Sequence, residues 1–201
     1  MIGLGDVQEA RRRLADLIYL SPCAYSETLS SLTGNRCYVK LENLQMTGSF
    51  KERGAANRLL ALTPEERARG VIAASAGNHG LAVAFHAGRL GVRATIVLPE
   101  WAPLVKVTSA RRHGARVVLT GANYDEAFAH ALGLQAEEGL TFIHPFDDPL
   151  VIAGQGTIGL ELLEQEPDLD AVVVSVGGGG LIGGIALAVK ETRPGVQVFG
   201  V

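Results

Sequence analysis

Aromatic residues make up only 5% of this 201-residue chain, and its formal net charge is a modest −3. So few rings supply no stacking platform for single-stranded nucleic acid. A slightly negative balance gives no attraction to a phosphate backbone or an anionic membrane surface. Cysteine is nearly absent: Cys23 and Cys37 form no C-x-x-C pattern and lie where nothing else signals a disulfide. That usage reads as reduced thiols in a cytoplasmic protein. No uninterrupted apolar run reaches membrane-spanning length. The apolar run that follows Arg11, Arg12 and Arg13 is also too short for a signal-peptide core, so no leader is expected. His86, His113, His130 and His144 have no metal-ligand spacing with Cys, Asp or Glu, and no metal site is expected. Nucleic acid, membrane and metal are thereby set aside as partners.

What the chain does have is apolar content. Hydrophobic residues make up 47% of it, enough for one substantial domain or two small ones with a sizeable core. A helical pattern over residues 7–17 precedes the Ser21-Pro22 breaker, and 38–44 reads as a strand. Thr63-Pro64-Glu65-Glu66 has the N-cap, N1 proline and acidic first turn of a helix start. From there strands at 71–75, 94–99, 115–120, 141–144 and 170–176 alternate with helices at 78–90, 103–113, 124–138, 151–164 and 181–191. The final strand, 196–201, is apolar to its last residue, so further chain or a covering partner is expected beyond it. Such alternation predicts an α/β fold with open, twisted, mostly parallel sheet and helices on both faces. In that architecture ligands gather where strand-to-helix loops converge.

Three of those loops are unusual. The first, Thr47-Gly48-Ser49-Phe50-Lys51-Glu52-Arg53-Gly54, places a lysine in the first turn of a helix, with Ser49 as expected N-cap and Glu52 at capping-box spacing. The helix dipole favours anions there, so Lys51 is either a solvated surface lysine or a reactive amine of depressed pKa. The second, Ser75-Ala76-Gly77-Asn78-His79-Gly80, presents backbone N–H groups suited to a carboxylate. Its Asn78 is either a helix cap or a hydrogen-bond partner for a ring oxygen. The third, Gly177-Gly178-Gly179-Gly180-Leu181-Ile182-Gly183-Gly184, can close successive amides around a phosphate at a helix N-terminus. No Lys-Ser or Lys-Thr follows it, which excludes the triphosphate P-loop. Gly178, Gly180 and Gly183 fit G-x-G-x-x-G, but the acidic residue of a dinucleotide site is missing at the end of the next strand.

An amine, a phosphate cradle and a carboxylate cradle together suit pyridoxal 5'-phosphate. The chain resembles the fold-type II pyridoxal-phosphate enzymes, tryptophan synthase β-like in architecture, and within them the threonine/serine dehydratase and serine racemase group. Ser49 to Gly54 matches the Schiff-base signature, Ser75 to His79 the substrate-carboxylate loop and Gly177 to Gly180 the phosphate loop. His144-Pro145-Phe146 and Ile152-Ala153-Gly154-Gln155-Gly156-Thr157 fit as well, and the match corresponds to about the first two thirds of a family catalytic unit. The resemblance implies that Lys51 binds the cofactor covalently and acts as base, that Phe50 faces the ring, and that Asn78 bonds the ring oxygen. It implies that Gly177, Gly178, Gly179, Gly180 and Leu181 bind the phosphate, and that Ser75, Ala76, Gly77, Asn78 and His79 receive the substrate carboxylate. It further implies a small mobile domain over 47–145 inserted in a large one formed by 1–46 and 146–201. The substrate would be a small amino acid and the assembly a homodimer or homotetramer. Family racemases carry a serine where this chain has Ala76, so a dehydratase that acts on L-threonine, L-serine or both is expected. Racemisation, β-replacement in the same fold, and a non-catalytic phosphate-binding module are the alternatives.

Overall fold

The computed structural model describes residues 2–201. Helix α1 (Leu4–Leu14) buries Val7, Ala10 and Leu14, a stripe at helical spacing, and keeps its arginines outward. Strands β1 (Cys23–Tyr25) and β2 (Tyr38–Lys40) pair antiparallel on either side of α2 (Glu27–Thr33). Periodicity alone misses β1 and α2, which are too short to repeat a pattern. It also carries β2 too far, for a 3-10 turn occupies Glu42–Leu44.

Helix α3 (Lys51–Leu60) follows, then α4 (Pro64–Arg69), whose Thr63 and Glu66 close a full capping box. Strands β3 (Val71–Ala74), β4 (Ala94–Leu98), β5 (Arg116–Leu119) and β6 (Thr141–Phe142) form one parallel sheet in the order β5-β4-β3-β6. Between them run α5 (Asn78–Arg89), α6 (Leu104–Arg112) and α7 (Tyr124–Glu138). Every residue of β3 is buried, because its two faces have different covers. Val71 and Ala73 pack with Ala82 and Val83 of α5 and with Ala55 and Leu59 of α3. Ile72 and Ala74 pack with Ala127 and Ala131 of α7. This is the two-sided burial that parallel strands need.

Helix α8 (Pro149–Gln165) is buried from Val151 to Leu163 except at Ile152. It packs against α9 (Gly180–Thr192), α3 and α1. Glycine makes the α8–α9 approach possible: a Cβ on Gly184 would lie 2.3 Å from the Ile152 carbonyl oxygen and 2.6 Å from the Gly156 nitrogen. Strands β7 (Ala171–Val174) and β8 (Gln197–Gly200) pair in parallel. Val172 and Val174 turn towards Ile158, Leu162 and Ile185, whereas Val173 is 65% exposed and Phe199 49%. Within residues 2–201, the run 170–176 and the terminal strand are covered on one face. Only alternate side chains reach the helices, and among the described residues nothing lies across the other face.

One polar cluster is buried deep between these elements. The Arg53 guanidinium, 1% exposed, donates Nε and Nη2 to Glu42 at 2.8 Å each. It also donates Nη1 and Nη2 to Glu161 at 2.6 and 2.8 Å, and Nη1 to Thr157 Oγ1 at 3.0 Å. Lys40 Nζ completes the group on Glu161 Oε2 at 2.5 Å, with the Ser21 carbonyl at 2.7 Å. Two cations face two carboxylates, so no charge is left unpaired inside. Burial works against the Arg53 charge, but the hydrogen bonds it donates to both carboxylates outweigh it and raise its pKa above the ordinary arginine value.

The Gly184 contact generates a prediction. Gly184→Ala must push two helix backbones apart and should cost at least about 2 kcal/mol in urea unfolding. Gly133→Ala, in α7 with nothing within 4 Å of the new Cβ, should leave stability equal or raise it by up to about 1 kcal/mol.

Candidate active site

The three unusual loops meet around one segment, Ile143 to Asp147. Lys51 opens α3 half-buried, and its Nζ donates to the Pro145 carbonyl at 2.7 Å. The amine also stands 5.3 Å from the centre of the Phe50 ring. Burial lowers its pKa below the ordinary lysine value, so more of it is the neutral, nucleophilic amine at a given pH. The surface-lysine alternative is thus not what the geometry shows.

Ser49 is not the cap of α3. Phe50 holds that position in helical conformation without a side-chain cap, and the buried Ser49 hydroxyl has no partner. Glu52 does reach back, but past the cap, to the N–H of Thr47. The chain turns earlier than the capping pattern implies because Gly48, at φ +78°, bends it through a bond from its N–H to the Gln45 carbonyl at 2.8 Å.

On the second loop, Gly77 is the N-cap of α5 and Asn78 its first residue, so Asn78 is not the cap. Asn78 is exposed, and its Oδ1 accepts from Lys106 Nζ at 3.3 Å. Ser75, Ala76 and Gly77 are half-buried, with Ser75 Oγ accepting from Gly77 N–H at 3.2 Å. His79 differs from its neighbours. Its ring is 3% exposed and pinned by Nε2 to the Ile143 carbonyl at 2.8 Å. Burial pushes its pKa down to about 4, and the nearby Lys51 and His144 add to the effect. Its other ring nitrogen, Nδ1, is buried without a partner among the described residues. His144 accepts at Nδ1 from the N–H groups of Phe146 and Asp147, at 3.3 and 2.7 Å, and burial lowers its pKa too.

The third loop is shaped by Phe146. A Cβ on Gly178 would overlap the Phe146 ring at 2.2 Å, and one on Gly180 would lie 2.5 Å from the Phe146 carbonyl oxygen. Gly179 caps α9 in the left-handed region at φ +86°. None of the amides of residues 177–182 donates to another protein group among the described residues. A row of free donors at the start of a 13-residue helix fits a phosphate, and no lysine or arginine contributes to the row. Lys51, the amide row and the loop at Ser75 therefore meet the three demands of pyridoxal phosphate and an amino-acid substrate.

The family described as pyridoxal-phosphate dependent enzyme matches residues 14–201. The chain belongs to that family. This pyridoxal-phosphate dependent enzyme chain is 54% identical over its whole length to the L-threonine ammonia-lyase of Thermotoga maritima, covering 50% of that protein. It is 46% identical over 202 residues to a catabolic L-threonine dehydratase, TdcB, of Staphylococcus aureus, covering 58% of it. Among solved structures, maize serine racemase superposes with a TM-score of 0.95 at 36% identity, over 98% of this chain and 60% of the other. Threonine deaminase isoform 2 from Solanum lycopersicum gives 0.94 at 45% identity, over 98% of this chain and 54% of that one. The chain thus spans about half the length of the curated relatives it matches, and its fold is the fold-type II architecture of those neighbours.

Sequence reading misses the Pro145 carbonyl, Lys106 and His86 as the buried partner of Glu52. A carbonyl leaves no mark in sequence, and the others lie far along the chain in no repeating pattern.

The buried His79 sets a pH dependence. A histidine whose folded pKa lies below its unfolded value binds fewer protons when folded, so stability falls as pH drops from about 6.5 towards about 4 and then levels. Between pH 7.5 and 4.5 this one group should remove about 2 kcal/mol. In His79→Gln, urea unfolding at the two pH values should show that much less difference.

Proposed function

We propose that the chain carries the principal catalytic residues of a lyase acting on L-threonine, L-serine or both. The products would be 2-oxobutyrate or pyruvate, with ammonia. The observation that carries this reading is the half-buried Lys51 amine, of lowered basicity and held over Phe50 at the Pro145 carbonyl. When bound, pyridoxal phosphate supplies a carbonyl that takes amines and a ring that withdraws electrons from the substrate Cα. Gly177, Gly178, Gly179, Gly180 and Leu181 would hold its phosphate through backbone N–H groups, Phe50 would support the ring and Asn78 would bond the ring oxygen. The backbone of residues 75–79 would orient the substrate carboxylate. Lys51 would take the Cα proton, and the β-hydroxyl would leave with a proton as water, so that the substrate loses one water in all. The resulting enamine hydrolyses in water to the 2-oxo acid and ammonia.

Ala76 argues for elimination. It is half-buried, and alanine can neither give nor take a proton, so if this position faces the substrate opposite Lys51, as the family resemblance implies, it cannot supply the second acid/base that inversion at Cα requires. Racemisation is the second reading, favoured by the likeness to maize serine racemase. We further take residues 47–145 as a small domain in which α3 stays fixed on α8 through Arg53 and Gly54 while the part after α3 closes on the segments before and after it, limiting water and side reactions. The separate clusters around β3 and around β7 support that division. A homodimer or homotetramer rests on family resemblance alone, and a cytoplasmic location on the usage of Cys23 and Cys37.

Borohydride reduction of the cofactor-loaded protein, followed by peptide mapping, should place the label on Lys51, and a label elsewhere or none would overturn the assignment. Lys51→Ala should lower elimination by about a thousandfold. Ala76→Ser should raise racemisation relative to elimination in a chiral product assay. An unchanged ratio there would count against the role given to this position.

A further inference from the structure

We infer that Glu52 and His86 form a buried positioning pair that fixes the turn in front of Lys51 and locks α3 to α5, the helix that begins at Asn78. The inference rests on the reading of Lys51 as the reactive amine. Both side chains are fully buried, and His86 Nε2 donates to Glu52 Oε2 at 3.1 Å. The other carboxylate oxygen, Oε1, accepts the N–H of Thr47. One carboxylate thus ties the backbone just before Lys51 to a helix 34 residues further on.

Beyond the packing of Phe50 against the β7 cluster, few hydrogen bonds hold the turn itself. The hydroxyls of Thr47 and Ser49 are buried without partners, and the cap position at Phe50 contributes no side-chain bond. What remains is the Gly48 N–H on Gln45 and the Arg53 N–H on the Phe50 carbonyl, at 2.8 and 3.1 Å. Between α3 and α5 the other contacts are apolar, through Ala55, Leu59, Ala82 and Val83, and such contacts allow sliding. A hydrogen-bonded pair has a direction and fixes register. His86 Nδ1, moreover, has no partner, with the Phe85 ring edge-on at a centroid distance of 4.9 Å. Two apolar residues would fill this space without stranding a ring nitrogen, so stability alone does not account for the pair. Geometry does: Lys51 and Asn78 sit in the first turns of the two helices that it joins, where a shift of about 1 Å can cost about a hundredfold in reaction rate.

Three variants of the full-length protein separate position from stability. Glu52→Gln is the conservative one. Its amide oxygen still accepts from Thr47, and its NH2 can donate to Nε2 of the other histidine tautomer. Glu52→Leu/His86→Leu removes both partners together, which leaves no orphaned charge. Glu52→Gln/His86→Leu keeps the Thr47 acceptor and loses the link to α5. The readouts are amide hydrogen exchange at Thr47, the rate of covalent pyridoxal phosphate uptake by Lys51, and Tm as a folding control. Glu52→Gln should match the parent in all three. The double leucine variant should keep its Tm, exchange Thr47 about tenfold faster and take up the cofactor about tenfold more slowly. Glu52→Gln/His86→Leu should protect Thr47 yet take up the cofactor slowly. Parent-like exchange and uptake in the double leucine variant would overturn the inference, as would Glu52→Gln behaving like that variant. If the parent protein takes no pyridoxal phosphate on Lys51, the reading of the site fails, and Thr47 exchange still decides whether the pair holds the turn.

Discussion

Arg53 is the fixed point of this fold. A guanidinium removed from water is tolerable only if every donor direction finds a partner, and here two carboxylates and a hydroxyl meet it from two different elements. The cost of losing either partner is high, because the other charge would be left buried. Helix α3 therefore has essentially one place to sit relative to α8 and the segment after β2. Lys51 lies two residues before Arg53, so its reach is set by the same clamp. The position of Lys51 thus depends in part on a charge buried away from solvent.

Around that clamp the molecule divides its tasks by type of force. Close backbone approach between α8 and α9, permitted by small residues, places the helix whose N-terminus carries the free amides. Apolar layers on both faces of β3 place the loop at Ser75. Hydrogen bonds join these parts: the segment Ile143 to Asp147 receives His79 and Lys51 on its carbonyls and presses Phe146 against the tetraglycine turn. The parts of the site are contributed by chain regions more than a hundred residues apart, yet each is one bond or one contact from the same short segment.

Much of this arrangement is legible in the sequence, for identifiable reasons. Helix α7 runs over 124–138 as its periodicity indicates, since Asn123 and Gly139 punctuate both ends. The tetraglycine and the Lys51 turn stand out because their composition is rare. The capping pattern at Ser49 misleads, because a left-handed Gly48 moves the bend upstream and leaves Glu52 to serve Thr47. The pairing of Glu52 with His86 is invisible, since two ordinary residues at no special spacing carry no signal until the helices are packed.

The absence of a cation from the tetraglycine loop has a consequence of its own. A field made by amide dipoles falls off faster with distance than that of a lysine or arginine, so the loop attracts little from afar and discriminates only at contact. Such a cradle responds weakly to ionic strength, and the charge of the surrounding surface can drift without retuning it. Selectivity then resides in backbone shape, the one property that the four glycines and the Phe146 wall together determine.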